Sequence, residues 1–271
     1  MRAEDVRAAF EGRGTNIMGR VARAIDLGLV GSHLDGTSFD TKELHRRYPV
    51  QIVFEPKRVI PALGKERRAF NSGANGGYAN GFYFEDLQRV VTSKHALHML
   101  HGEKAYLEPG GRDIGVVQVG KDAAALSEQV IYDDPTLNNA HIEGAFVVTV
   151  GIDPDDTDDR ATGHKTFPAI AKKMTPAMVA HQFGRESKEW QELGARCFVM
   201  VLPPGESDKD AMGMSGSPVF IRRGDRYTLA GIFVATSTVT DVDGITKDVA
   251  FFLGIDDIRE ELKSPQTFTL F

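Results

Sequence analysis

From Val50 onward the sequence is a series of short apolar, β-branched and aromatic runs separated by turns rich in Gly, Asp, Asn and Pro. This spacing favours an all-β barrel or sandwich over alternating βαβ units. Helices interrupt the pattern at predicted positions 175–182, 185–193 and 256–262. The predicted strands cover residues 50–54, 81–84, 89–92, 113–119, 145–150, 197–202, 218–221, 227–236 and 249–253.

Residues 1–48 carry a helical pattern instead. Apolar side chains recur there at four-residue spacing, at Val6 and Phe10 and again at Ile17, Val21 and Ile25. That period places them on one face of a helix. We therefore expect a small helical N-terminal appendage, which binds a regulatory partner or covers a cleft, followed by a larger domain at 49–271.

Composition excludes several classes of function. The net charge is −6 with both signs mixed along the chain, so no clustered basic face indicates nucleic-acid binding. No run reaches the roughly 18 to 20 apolar residues that span a bilayer, and the charged N-terminus lacks a signal-peptide core. Cys197 is the only cysteine, which rules out an intramolecular disulfide. We expect a cytoplasmic protein that binds neither membranes nor nucleic acids.

Two loops have unusual composition. Residues 71–80 are so rich in Gly and Asn that we predict a mobile loop. Residues 153–159 concentrate aspartates, which is compatible with a calcium site because hard cations prefer several oxygen ligands. The segment lacks the glycine and the distant glutamate of an EF-hand loop. A solvated acidic loop is therefore the preferred interpretation.

Ser215 lies in the most informative segment, Gly213-Met214-Ser215-Gly216-Ser217-Pro218. A serine becomes a nucleophile when a base accepts its proton and nearby donors stabilise the oxyanion. Small flanking residues allow a substrate carbonyl to approach closely. A Gly/Ser turn between strands is the simpler alternative, and Ser217 is a second candidate nucleophile that we interpret as a tolerated small residue.

A candidate base and its partner precede this serine. His95 follows a β-branched run, and Asp113 opens an apolar strand eighteen positions later. A carboxylate at the mouth of a buried strand can accept the second N–H of a histidine and fix its tautomer. A structural histidine and a strand-start cap remain alternatives. A zinc-binding face formed with His98 and His101 is a weaker one, since no HExxH or cysteine pattern accompanies it.

Residue order discriminates between hydrolase classes. The segment around Ser215 nearly matches the G-x-S-x-G elbow of α/β-hydrolases, whose histidine follows the serine. The last histidine of this chain is His181, so that arrangement is excluded. The order His95, Asp113, Ser215 is the one used by chymotrypsin-like enzymes.

Four segments together resemble the trypsin-like serine peptidases. Thr-Ser-Lys-His95 is similar to their T-A-x-H box, and Asp113-Ile-Gly-Val-Val to D-I-A-L-L. The Ser215 loop is similar to G-D-S-G-G-P-V, and residues 229–236 to the G-I-V-S-W-G strand. The nearest subgroup resembles bacterial intracellular peptidases related to the high-temperature-requirement proteases, without their peptide-binding domain.

This resemblance implies a mainly β fold of two antiparallel six-stranded β-barrels, at about 49–135 and 140–255, with a C-terminal helix and tail at 256–271. It implies a serine endopeptidase without a cofactor or metal, acting on protein or peptide substrates. His95 is then the general base, Asp113 orients it, and Ser215 is the nucleophile. The main-chain N–H groups of Gly213 and Ser215 form the oxyanion hole.

The substrate pocket is less clearly implied. Val234, Ala235 and Thr236 fall on the strand that lines it, and Lys209 falls at the position of its base. A shift of one residue would bring Asp208 or Asp210 there and reverse the charge preference, so both remain open.

Three residues depart from the family pattern. Met214 replaces the aspartate that pairs with a newly cleaved N-terminus, which argues against activation by that cleavage. Ser217 replaces a glycine, and Val234 a serine. The alternatives to a protease are a catalytically silent or latent binding module, an ester hydrolase with the same nucleophile, and a structural protein with coincidental motifs.

Overall fold

The computed structural model describes residues 50–53, 78–86, 88–100, 112–118, 130–152, 164–184, 186–202, 211, 213–223, 226–240, 246–263 and 267–269. The expected helical appendage at 1–48, the acidic loop at 153–159, His101 and Lys209 lie outside these ranges. In the part that is described, strands predominate over helices and form two sheets.

The first sheet contains β1 (Val50–Val53), β2 (Tyr78–Phe84), β3 (Arg89–Thr92), β4 (Gly115–Gln118), β5 (Val130–Ile131) and β13 (Thr267–Thr269). Its order is β1-β2-β3-β4-β13, with β5 paired to β2. The pairs β1–β2, β2–β3 and β3–β4 are antiparallel. The pairs β2–β5 and β4–β13 are parallel.

The second sheet has seven strands in the order β7-β6-β10-β11-β12-β9-β8 and is nearly closed into a barrel. All of its pairs are antiparallel. The strands are β6 (Phe146–Ile152), β7 (His164–Ile170), β8 (Lys172–Lys173), β9 (Phe198–Val201), β10 (Pro218–Arg223), β11 (Arg226–Thr240) and β12 (Thr246–Gly254). The described residues thus have a mainly β arrangement.

The helices are α1 (Lys94–Leu100), α2 (Asn139–Ile142), α3 (Pro176–Phe183), α4 (Lys188–Arg196) and α5 (Ile255–Lys263). The sequence predicts α3, α4 and α5 within three residues at each end. Thr175 caps α3 by accepting a hydrogen bond from the N–H of Met178, and Pro176 fits the first helical position.

Aromatic side chains pack on both faces of the second sheet, because the adjacent residues Phe251 and Phe252 of β12 point to opposite sides. Phe198 of β9 stacks on Phe252 of β12 with ring centroids 5.1 Å apart. Phe183 of α3 packs edge-on against Phe251 at 5.6 Å, which docks the helix on the sheet. Burying each such ring stabilises the fold by roughly 1.5 to 3 kcal/mol.

Arg259 connects α5 to the segment between the two sheets. Its guanidinium donates to both carboxylate oxygens of Asp133 and to the main-chain carbonyls of Asp134 and Leu137. The hydrogen bond to Asp133 raises the pKa of Arg259 against the opposing effect of burial, and the charges of Asp133 and Asp256 raise it further. This network fixes the chain as it passes from the first sheet to the second.

The structure departs from the predicted pattern at several strands. It adds a strand at β7 and short ones at β5 and β8, and the second sheet has seven strands where the resemblance implies six. The C-terminal tail also contributes β13 to the first sheet. In the described residues, no helix is both long and apolar enough to cross a membrane.

Candidate active site

His95 and Asp113 are held together at two points. The histidine lies in the first turn of α1, directly after β3, and Asp113 lies two residues before β4. Oδ2 of Asp113 lies 2.5 Å from Nδ1 of His95, and Oδ1 accepts the main-chain N–H of His95 at 2.8 Å. Because β3 and β4 are paired neighbours, this geometry follows from the sheet itself. The structure therefore brings the two predicted residues together.

The environment changes the pKa of His95. Burial alone would lower this pKa, but the charge of Asp113 and its hydrogen bond outweigh burial and raise it above the ordinary value of 6.5. Asp113 is 1% exposed, so its charge acts on the ring with little screening by water. The imidazolium form is thus stabilised relative to an isolated buried histidine.

Ser215 approaches the histidine from the second sheet. Its Oγ lies 3.1 Å from Nε2 of His95, within the range of an O–H···N hydrogen bond. With Nδ1–H directed at Asp113, Nε2 is the acceptor and the serine hydroxyl is the donor. A side chain from the loop before β10 therefore faces a side chain carried by the first sheet.

The Ser215 loop is held by hydrogen bonds on successive peptide groups. The Met214 N–H donates to Ala211 O at 3.2 Å, the Ser217 N–H to Met214 O at 2.9 Å, and the Gly216 N–H to Phe233 O at 2.9 Å. Across the described part of the chain, the N–H groups of Gly213 and Ser215 have no acceptor.

Two glycines make this loop conformation possible. Gly213 has φ +83° and Gly216 has φ +87°, in the left-handed region that strains other residues. Gly216 also packs so closely on the first sheet that a Cβ there would lie 1.8 Å from the main-chain oxygen of Asn80. The glycines predicted on either side of the serine thus have a steric role.

The predicted pocket strand bends next to Ser215. The pairing of β11 with β12 shifts register between Phe233 and Ala235, so Val234 occupies a β-bulge. Bulges re-aim the backbone beside functional sites, and here the carbonyl of Val234 lies 3.4 Å from Ser215 Oγ.

Ala235 and Thr236, the next two residues, line a cavity of about 310 Å³. Its remaining walls come from α3, from α4 and from the loop between them, and from two further sheet residues. These residues are Gln182, Phe183, Glu186, Trp190, Ser237 and Phe251.

Met214 and Ser217 fill space beneath the loop. Met214 is fully buried, and the Ser217 hydroxyl lies 3.9 Å from its sulfur. A Cβ on Gly151 of β6 would overlap both side chains, so this glycine makes room for them. Ser217 is buried as well and faces away from the position of a nucleophile.

Metal binding receives no geometric support from the described residues. His98 lies one turn after His95 on α1, and its predicted third partner, His101, is not described. No group of three His, Cys, Asp or Glu side chains within the described ranges is arranged to hold an ion.

Asn80 is the residue that the sequence-based reasoning missed. The sequence predicts a mobile loop at 71–80, but Asn80 is 1% exposed and belongs to β2. Its side-chain amide donates to Gly213 O at 2.7 Å, and its main-chain N–H donates to Ser215 O at 3.0 Å. The available signal was its period-two spacing with Phe82 and Phe84, which places all three on one face of a strand.

Comparison with known proteins finds similarity in fold but no matching sequence family. No family model matches the sequence, and no curated protein matches it. The fold is similar to that of the scabies mite inactivated protease paralogue S-I1, with 13% sequence identity and a TM-score of 0.47. The similarity covers 83% of this chain and 96% of that one.

Proposed function

We propose that this protein is a serine endopeptidase that uses Ser215 as nucleophile, His95 as general base and Asp113 as the orienting carboxylate. One observation carries the proposal: Asp113, His95 and Ser215 are linked by hydrogen bonds in that order, at 2.5 Å and 3.1 Å. A histidine with a purely structural role would not need its Nε2 to contact the hydroxyl of a serine in a glycine-flanked loop. The chain of three groups is the arrangement that activates a hydroxyl.

The reaction proceeds in two halves. Ser215 Oγ attacks the carbonyl carbon of the scissile peptide while Nε2 of His95 accepts the hydroxyl proton. The tetrahedral intermediate collapses when the protonated His95 gives that proton to the leaving amine, which leaves an acyl-enzyme. Water, deprotonated by His95, then hydrolyses the ester and regenerates Ser215.

The carbonyl oxygen of the scissile peptide becomes negatively charged in the tetrahedral intermediate, and this charge needs hydrogen-bond donors. The N–H groups of Gly213 and Ser215 suit this role, since neither donates to another described residue. Groups of this kind are worth roughly 3 to 4 kcal/mol of transition-state stabilisation each in other hydrolases. Because they are fixed before substrate arrives, no reorganisation is needed during the reaction.

An open strand edge favours a peptide substrate over a small ester. Pairing of β11 with β10 ends at Ile232, whereas its pairing with β12 continues to Thr240. Phe233 still bonds to Gly216 and Ser217 of the loop before β10. Beyond Phe233, no strand of the described sheet lies on that side of β11. An extended peptide can add to such an edge through main-chain hydrogen bonds, and this edge begins beside Ser215.

The proposal includes the two-barrel architecture of the trypsin-like peptidases. The two sheets would be the two barrels, with the site at their junction because His95 comes from one and Ser215 from the other. The four segments that resemble the trypsin-like serine peptidases, and their order along the chain, support this assignment. The pocket base, with Lys209 or a neighbouring aspartate, would set the preference for the cleaved residue.

Unbiased cleavage tests this function. Wild type and Ser215→Ala are each incubated with a proteome-derived peptide library and with p-nitrophenyl acetate. We expect new peptide termini with wild type alone, detected by mass spectrometry. Turnover of the ester without any peptide cleavage would indicate an esterase, and cleavage retained in Ser215→Ala would exclude Ser215 as the nucleophile.

A further inference from the structure

Asn80 connects the first sheet to the Ser215 loop through both its side chain and its main chain. Nδ2 donates to the carbonyl of Gly213 at 2.7 Å, and the N–H donates to the carbonyl of Ser215 at 3.0 Å. Its own carbonyl accepts from Thr92 Oγ1 at 2.6 Å. Asn80 itself is 1% exposed and lies in β2, the strand before β3.

These contacts orient two planar peptide groups. The Gly213–Met214 peptide is held at its carbonyl by Asn80 and at its N–H by Ala211 O. The Ser215–Gly216 peptide is held at its carbonyl by Asn80 and at its N–H by Phe233 O. Because each peptide is planar, fixing both ends fixes its rotation.

The side-chain contact is the selective one. The main-chain bond to Ser215 O forms with any residue except proline at position 80, whereas the bond to Gly213 O needs a side-chain donor of this length. Gly213 has no Cβ and lies at a φ of +83°, so its own backbone restricts the rotation of this peptide less than another residue would. Without the amide, the Gly213–Met214 peptide would be held only at its Met214 N–H. Its rotation would then change the backbone angles on both sides and displace the flanking N–H groups of Gly213 and Ser215.

We propose that Asn80 is a positioning residue of the oxyanion hole, which acts by holding the Gly213 carbonyl so that the Gly213 and Ser215 N–H groups converge on one point. This inference rests on the proposed serine-hydrolase function. Asn80 does not touch the substrate, and it contacts neither His95 nor Asp113 in the bonds described above. Its loss should slow acylation and leave the titration of the base unchanged.

The test compares Asn80→Ala and Asn80→Ser with a matched control, Thr149→Val. Thr149 is also buried and donates its hydroxyl to a main-chain carbonyl, that of Pro218 at the start of β10, at 3.1 Å. It does not contact Gly213 or Ser215 in the bonds shown. Asn80→Ser keeps a small polar group at position 80, and it replaces Asn80→Ala as the test variant if the alanine variant does not fold. The readouts are the pre-steady-state acylation rate with p-nitrophenyl acetate per folded molecule, its pH profile, and the urea midpoint.

We expect both Asn80 variants to acylate about 10- to 100-fold more slowly than wild type, with an unchanged pH midpoint. Thr149→Val should lose stability to a similar extent and keep its acylation rate within about threefold. If folded Asn80 variants acylate at the wild-type rate, or if Thr149→Val loses as much acylation rate as they do, this inference is overturned. The proposed function would be unaffected by either result. A shifted pH midpoint would assign Asn80 to the His95–Asp113 pair instead and also overturn this inference. A wild-type protein that shows no acylation of Ser215 would overturn the proposed function together with this inference.

Discussion

The carboxylate of Asp113 binds His95 twice, with Oδ2 on the ring at 2.5 Å and Oδ1 on the main-chain N–H at 2.8 Å. One residue thereby fixes both the position of the histidine backbone and the tautomer of its ring. The 3.1 Å contact between Nε2 and Ser215 depends on that tautomer, since only an unprotonated Nε2 can accept the hydroxyl proton.

Asp113→Asn should reduce kcat by about 10⁴-fold, as the same change does in related geometry elsewhere. The asparagine oxygen can still accept the N–H of His95, so the fold should survive, but its NH₂ would face Nδ1 and place the proton on Nε2. Steady-state kinetics measures the effect, with a peptide substrate identified from the library cleavage. Glu260→Gln is the control, because this exposed carboxylate pairs with Arg112 beside Asp113 and should change kcat less than twofold. Equal losses in the two variants would contradict the assigned role.

The pH dependence follows from the raised pKa of His95. The neutral imidazole is the active base, so kcat/KM should rise with pH and reach its midpoint above the ordinary value of 6.5. Asp113→Asn removes the carboxylate charge that raises the pKa of His95, so burial should then lower this pKa. The pH midpoint of the residual kcat/KM should therefore fall. A profile that is flat between about pH 5 and 9 would exclude a histidine base.

Gly216→Ala should destabilise the protein far more than Gly144→Ala. Both glycines have positive φ, at +87° and +77°, which costs about 1 to 2 kcal/mol for alanine. Only at Gly216 would the new Cβ also overlap backbone, at 1.8 Å from Asn80 O; at Gly144 the nearest atom is the end of Lys172, at 3.5 Å. We expect an additional loss of about 1 to 3 kcal/mol at Gly216 from overpacking, measured by urea unfolding. Equal losses would show that the loop and β2 are not packed as described.

Arg259→Met should lower the free energy of unfolding by about 2 to 4 kcal/mol, because the Asp133 carboxylate and the Leu137 carbonyl lose the donor that the guanidinium supplies. Arg259→Lys should recover only part of this, since one ammonium cannot replace the fork of donors. Arg223→Met is the matched control. Its pair with Asp134 is more exposed, and we expect a change within about 0.5 kcal/mol. Comparable effects at the two arginines would contradict the connecting role of Arg259.

Local sequence pattern predicted most of the described strands, and it also singled out the three residues that the structure brings together in the candidate site. Short runs such as 89–92 and 218–221 are β-branched or apolar and flanked by turns, so local pattern determines them. His95, Asp113 and Ser215 were found because the chemistry needs specific residue types in a fixed order. Their distances could not be predicted, since they depend on how two sheets meet.

Other features depend on long-range contacts that leave little local signal. β13 forms from Thr267–Thr269 because the exposed edge of β4 accepts it in parallel, not because three residues favour a strand. Strand β7 was missed since His164, Lys165 and Pro168 interrupt its apolar pattern. Asn80 was taken for a loop residue, as asparagine usually is, although buried carbonyls on a facing loop give it partners inside a sheet.

The most direct test of the central claim is reaction with a fluorophosphonate, with intact mass and peptide mapping to locate the adduct. Ser215→Ala removes the proposed nucleophile, and Ser217→Ala is the matched control in the same loop, since its buried hydroxyl faces Met214. We predict one adduct on Ser215 in wild type and in Ser217→Ala, and none in Ser215→Ala. A folded wild-type protein that takes up no adduct, or an adduct that persists in Ser215→Ala, would contradict the account.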